Sequence, residues 1–246
     1  MFYLIFFIFG LCVGSFLNVV INRLETGESF VRGRSRCPKC QTTLAWFDLI
    51  PLASFFFLRG KCRRCDQKIS WQYPLVELTA GLLFVYLAYY FSNLDLFYYL
   101  VIVSFLIVIF VYDLKHYLIP DSVVYPAILI SLAFVLIKSP SFWPIVYSLF
   151  GAAFFGLIVL ISREKWMGAG DIKLAILMGL ILGWPNILVA LMLAFISGAI
   201  VGIFLIISKK KRIKSEVPFA PFLCLTTLIT LIYGSQIINW YSHILF

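Results

Sequence analysis

Two matched cysteine pairs and two aspartates in apolar surroundings are the residues of this chain best equipped for chemistry. Cys37-Pro-Lys-Cys40 and Cys62-Arg-Arg-Cys65 are CxxC pairs separated by 21 residues. Each CxxC turn points two thiolates at one ion, and two turns complete a tetrahedral four-sulfur site. Four soft ligands with no open position favour a structural zinc over a catalytic one. Arg36, Lys39, Lys61, Arg63 and Arg64 offset the negative charge of such a site and help keep its thiols ionised. Two disulfides are the other reading of this spacing, and they would need an oxidising compartment.

The aspartates are Asp113, in Asp113-Leu-Lys-His-Tyr-Leu-Ile-Pro120-Asp121, and Asp171, in Gly168-Ala-Gly170-Asp171-Ile-Lys173. An Asp at the centre of a membrane helix costs about 2.5–3.5 kcal/mol on insertion scales, so one that persists usually has a job. Two close carboxylates do not both ionise easily. One takes a proton from water while the other, protonated, polarises a carbonyl. Gly168 and Gly170 would let a substrate backbone approach. Pro120 would end the preceding segment and fix the place of Asp121. Taken singly, either aspartate could instead be a helix cap.

The elements that must carry these residues are membrane helices. The chain is 63% hydrophobic and 13% charged, against about 45–50% and about 25% in soluble domains. Its mean hydropathy is +1.01. Apolar runs fall at 3–21, 75–91, 96–112, 123–137, 144–161, 172–184, 186–207 and 219–240. The pattern predicts an all-α polytopic protein of about eight transmembrane helices, two of them short for a span of about 20 residues. Gly10 and Gly14 form a small-xxx-small pair for close helix packing.

The net charge of +9 could suggest a nucleic-acid partner, but the positions of the charges point to the membrane. On an alternating eight-span path, the basic residues of 22–73, Lys115, Arg163, Lys165, Lys173 and the run Lys209–Lys214 all share one side. Only Lys138 lies opposite. The positive-inside rule makes the shared side cytoplasmic, with both termini outside. The first span lacks the flanks of a cleavable signal. Three parts follow: a first transmembrane helix at 1–21, a cytoplasmic zinc-binding insert at 22–73, and a membrane-embedded domain at 74–246. Cys12 and Cys224 fall in spans and read as small buried thiols. His116 reads as an interfacial loop residue, and His243 lies on the side away from the aspartates.

The Gly168-x-Gly170-Asp171 motif resembles that of the GxGD membrane aspartic proteases. With Asp113 and Ile119-Pro120-Asp121, the chain resembles the type IV prepilin peptidases. Gly14-Ser-Phe-Leu-Asn18, Arg23-Leu24, both CxxC pairs, Tyr73-Pro-Leu-Val-Glu77 and Pro218-Phe-Ala-Pro221 carry the resemblance across roughly residues 10–235. It implies cleavage of the basic leader of prepilins or pseudopilins, with Asp113 and Asp171 as the catalytic pair. Gly168, Gly170, Lys173, Pro120 and Asp121 would support that pair. It also implies N-methylation of the new N-terminus with S-adenosylmethionine. The setting implied is a bacterial plasma membrane, and the style is that of competence peptidases of Gram-positive bacteria. Glu25 and Ala220 depart from the family, which often has Pro and Gly there. A GxGD protease for other signal peptides, and a transporter or scaffold with intramembrane carboxylates, are the competing readings.

Overall fold

The structure, a computed structural model, describes every residue except 30–32, 38, 139–140, 164–166, 209–216 and 246, and the side chains of 244 and 245. Lys165 and the basic run Lys209–Lys214 therefore lie outside the described residues. The described chain is helical, with short isolated bridges in the cysteine-bearing insert. It divides into two units, Met1–Val108 and Ile109–Phe246.

The first unit contains α1 (Phe2–Thr26), the short α2 (Ala53–Phe57), α3 (Gln72–Tyr90) and most of α4 (Asn93–His116). Helices α1 and α3 pack along one another. With lipid outside and apolar side chains within, there is little hydrophobic drive to bring them together, so close backbone approach must supply the contact. Gly10 and Gly14 provide it: a Cβ at Gly14 would lie 2.7 Å from the Cα of Glu77, and one at Gly10 would lie 2.7 Å from the Ala80 carbonyl. Gly27, at φ 71, closes α1 with its N–H on the Arg23 carbonyl.

The second unit holds the end of α4, then α5 (Asp121–Lys138), α6 (Trp143–Ser162), α7 (Ala169–Leu182), α8 (Asn186–Ile207) and α9 (Ala220–Leu245). Helix α7 is its centre. Leu174, Ala175, Leu177 and Met178 are wholly buried, and the helix packs on α5, α6 and α9. Burial on most of its sides explains why its sequence shows no continuous polar face. Gly179 admits the backbone of Ser148 on α6, where a Cβ would sit 2.4 Å from the Ser148 Cα. At the far end of α6 and α7, Trp184 meets the rings of Tyr147 and Phe150, the kind of aromatic cluster that sits at a membrane interface.

Seven described helices are long and apolar enough to cross a membrane. The remaining apolar run, the sixth along the chain, forms α7, whose 14 residues reach about 21 Å, short of the ~30 Å hydrocarbon core. The chain is a multi-pass membrane protein.

Candidate active site and metal centre

Asp113 and Asp171 come from elements more than fifty residues apart and are buried in the same unit. Asp113 lies in the last turn of α4 and is 5% exposed. The peptide N–H of Ala220, the first residue of α9, donates to its carboxylate. Asp171 is in the first turn of α7, 8% exposed. Its backbone N–H donates to the Gly168 carbonyl at 3.1 Å, and its carboxylate accepts from the Gly168 N–H. This reciprocal pairing is capping geometry, so the capping role and a chemical role coexist in one side chain. The charge of Asp113 acts on Asp171, and the fully buried thiol of Cys224 on α9 lies within electrostatic reach of both. Among the described residues neither carboxylate has a cationic partner.

The segment between α4 and α5 is clamped onto the start of α7. The Tyr117 N–H caps α4 on the Asp113 carbonyl at 2.9 Å, and Pro120 accepts the first N–H groups of α5. Ile119 fills the space beside Gly170, where a Cβ would lie 3.2 Å from the Ile119 Cβ. Beside Gly168, by contrast, the nearest neighbour of an added Cβ would be 4.0 Å away. Asp121 pairs with Lys173, whose ammonium also stands over the Tyr125 ring at 5.1 Å. His116 is half-buried against Tyr112, with ring centroids 4.5 Å apart.

The four insert cysteines converge. Their Sγ atoms lie within 4.8 Å of one another. Those of Cys37 and Cys65 are 3.8 Å apart, far beyond a disulfide bond of about 2.05 Å. Sulfurs about 2.3 Å from one tetrahedral ion stand about 3.8 Å apart, so this donor set fits such an ion. The two turns share one construction. Cys37 N–H bonds Thr42 and Cys62 N–H bonds Gln67, while Gln41 and Asp66 occupy the left-handed region directly after each pair. The Thr42 hydroxyl and N–H hold the Cys40 thiol down to about 6, and the N–H groups of Arg64 and Cys65 lower Cys62. The Gln67 N–H pulls Cys65 down, but burial and the neighbouring thiols outweigh it and push Cys65 to about 11.

Sequence reasoning assigned no role to a polar network at the α1–α3 contact. Glu77, buried in α3, accepts the Leu52 N–H at 2.8 Å. Leu52 has φ 58 and ψ −51, and the Ala53 N–H closes a tight turn on the Pro51 carbonyl. Asn18 bonds the Tyr73 carbonyl and receives Gln72, and Arg23 donates to the carbonyls of Ser29 and Gly33. The signal was the presence of buried polar residues within spans.

Fold and site together define a multi-pass membrane protein with two buried carboxylates in one unit and a four-thiol cluster able to hold a metal ion in the other. The description "Bacterial Peptidase A24 N-terminal domain" matches residues 8–91, and "Type IV leader peptidase family" matches residues 100–203. Three relatives share the name prepilin leader peptidase/N-methyltransferase. The Myxococcus xanthus protein is 40% identical over 82% of this chain and 62% of its own length. The Legionella pneumophila protein is 34% identical over 97% of this chain and 94% of its own. The Bacillus subtilis protein is 34% identical over 96% of each. No solved structure matches the chain significantly. The chain belongs to the type IV leader peptidase family.

Proposed function

We propose that this protein cleaves the leader peptide of type IV prepilins or pseudopilins by aspartic-protease chemistry, with Asp113 and Asp171 as the catalytic pair. The observation that carries the reading is the convergence of these two buried carboxylates with no cationic partner among the described residues. Such a pair is most readily held with one proton between them. The ionised carboxylate takes a proton from water as the oxygen attacks the scissile carbonyl. The protonated one donates to the carbonyl oxygen. Collapse of the tetrahedral species returns a proton to the departing amine. The Ala220 and Gly168 N–H groups orient the carboxylates, and the open side of Gly168 leaves room for a peptide backbone.

In this reading residues 74–246 carry the peptidase chemistry, and the insert at 22–73 is a structural module. Cys37, Cys40, Cys62 and Cys65 would hold a zinc ion, whose part is to fold a loop too small for its own core. Lys115, Arg163 and Lys173, with the basic residues of the insert, support a cytoplasmic side for the aspartates and the four thiols. Methyl transfer from S-adenosylmethionine to the freed amine is proposed from the relatives' shared name, and no residue of this chain is assigned to it.

Incubating the purified protein with a solubilised prepilin tests the proposal. A shortened product that begins after the leader is expected, and an uncut substrate would overturn it.

A further inference from the structure

The cysteine-bearing insert joins two membrane helices that pack side by side, α1 ending at Thr26 and α3 beginning at Gln72. The headgroup layer therefore lies around both of its ends. Trp71 directly precedes α3, and the Phe55 ring packs tilted against it with centroids 5.0 Å apart. That contact brings α2 to the depth at which a membrane helix begins. At this depth the next two side chains face outward: Phe56 is 66% exposed and Phe57 is 87% exposed. Trp46, Leu49 and Ile50, from the segment packed on α2, are exposed too. Bare aromatics of this size are costly in water, but Trp and other aromatic rings are favoured at a membrane interface.

The charge around them is one-sided. Residues 27–71 contain nine Lys and Arg against Glu28, Asp48 and Asp66. Arg59 follows α2 by two residues and is exposed, as are Arg63 and Arg64 on the second cysteine turn. Arg63 lies over the Phe47 ring at 4.8 Å while pairing with Asp48, so cation and aromatic share one face. Apolar rings bordered by basic side chains match the acyl boundary below an anionic headgroup layer.

We propose that the insert is a membrane-docking module, with Phe56, Phe57 and Trp46 seated in the interface and its arginines on anionic phospholipid headgroups. The four-thiol site then serves to hold these side chains in one rigid, lipid-facing arrangement.

The test uses the full-length protein in nanodiscs of phosphatidylcholine, with and without phosphatidylglycerol. In a Phe57→Trp variant, the added indole emission should be blue-shifted and quenched by lipids brominated near the headgroup, more strongly with phosphatidylglycerol present. Arg59→Gln with Arg64→Gln, on the same background, should remove that dependence on anionic lipid. Trp46→Phe gives the same reading from a native ring, as quenching lost from the unsubstituted protein. A red-shifted, unquenched signal would place the face in water and overturn the proposal. A blue-shifted signal that brominated lipid does not quench would show a second copy or another protein on the face, and would overturn it equally.

Discussion

Lys173 on α7 reaches across to Asp121 at the start of α5, with Nζ 2.5 Å from Oδ1. Lys173 lies two residues beyond Asp171, and Asp121 lies eight beyond Asp113. The pair therefore ties together the two segments that carry the carboxylates, with Ile119 packed on Gly170 behind it. As a partly exposed ion pair it is worth at most about 1 kcal/mol of stability. Its consequence is geometric.

Asp121→Asn or Lys173→Met should leave thermal stability nearly unchanged, yet lower kcat for leader cleavage by about tenfold to a hundredfold, the cost of a small misplacement of reacting groups. The pH–rate profile is the discriminating readout. Two coupled carboxylates titrate with separated apparent values. If the latch sets their spacing, loosening it weakens the coupling and narrows the bell. The exchange Asp121→Lys with Lys173→Asp should restore part of both rate and width.

The metal site makes a separate prediction. Purified protein should contain close to one zinc per chain, and Cys37→Ser or Cys62→Ser should lose it. In metal-free protein the Cys40 thiol, held at about 6 against an ordinary 9.0, should be alkylated fastest at neutral pH. Cys65, pushed to about 11, should react slowest. The sign follows for stability. The Cys40 thiolate contributes fully above about pH 9, and its contribution is lost as the pH falls through about 6. Cys65 contributes in the opposite sense, fully below about pH 9 and lost as the pH rises towards 11. Zinc binding should therefore weaken on acidification, which metal release measured against pH would show.

Much of this architecture was legible beforehand because membrane helices announce themselves by length and apolarity. The eight apolar runs reappear as α1 and α3 to α9, with ends shifted by a few residues. The CxxC spacing was enough to expect four converging thiols, and the glycine pair of α1 was enough to expect a close helix contact. The contacts that complete the site were not legible. The Ala220 N–H reaches Asp113, and Cys224 comes within electrostatic reach of both aspartates, from a helix about fifty to one hundred residues further on, and nothing in local spacing records that. The clearest difference concerns Gly170. It was expected to open space for substrate, and its missing side chain is instead filled by Ile119. Helix α7 ran short because it packs on protein neighbours on several sides and is not matched to lipid by its length alone.

The α1–α3 seam should be intolerant of volume. Gly14→Val would drive a side chain into the α3 backbone, 2.7 Å from the Glu77 Cα, at a cost of about 1–3 kcal/mol or more. A lowered melting temperature in detergent is the expected result.

Glu77→Leu should destabilise the turn at Leu52 by leaving its N–H without an acceptor, about 1–3 kcal/mol, whereas Glu77→Gln keeps an acceptor and should cost less. Faster proteolysis in the segment around Leu52, in the Leu variant only, would register the difference.

The central claim is that Asp113 and Asp171 act as one catalytic pair, and cleavage of a prepilin by single Asn variants tests it most directly. Asp113→Asn and Asp171→Asn should each keep the fold, as judged by melting temperature and zinc content. Each should reduce cleavage by several orders of magnitude, and the double variant should be little worse than either alone, because groups that act as a unit are not additive. Near-normal cleavage by either well-folded variant would contradict the account.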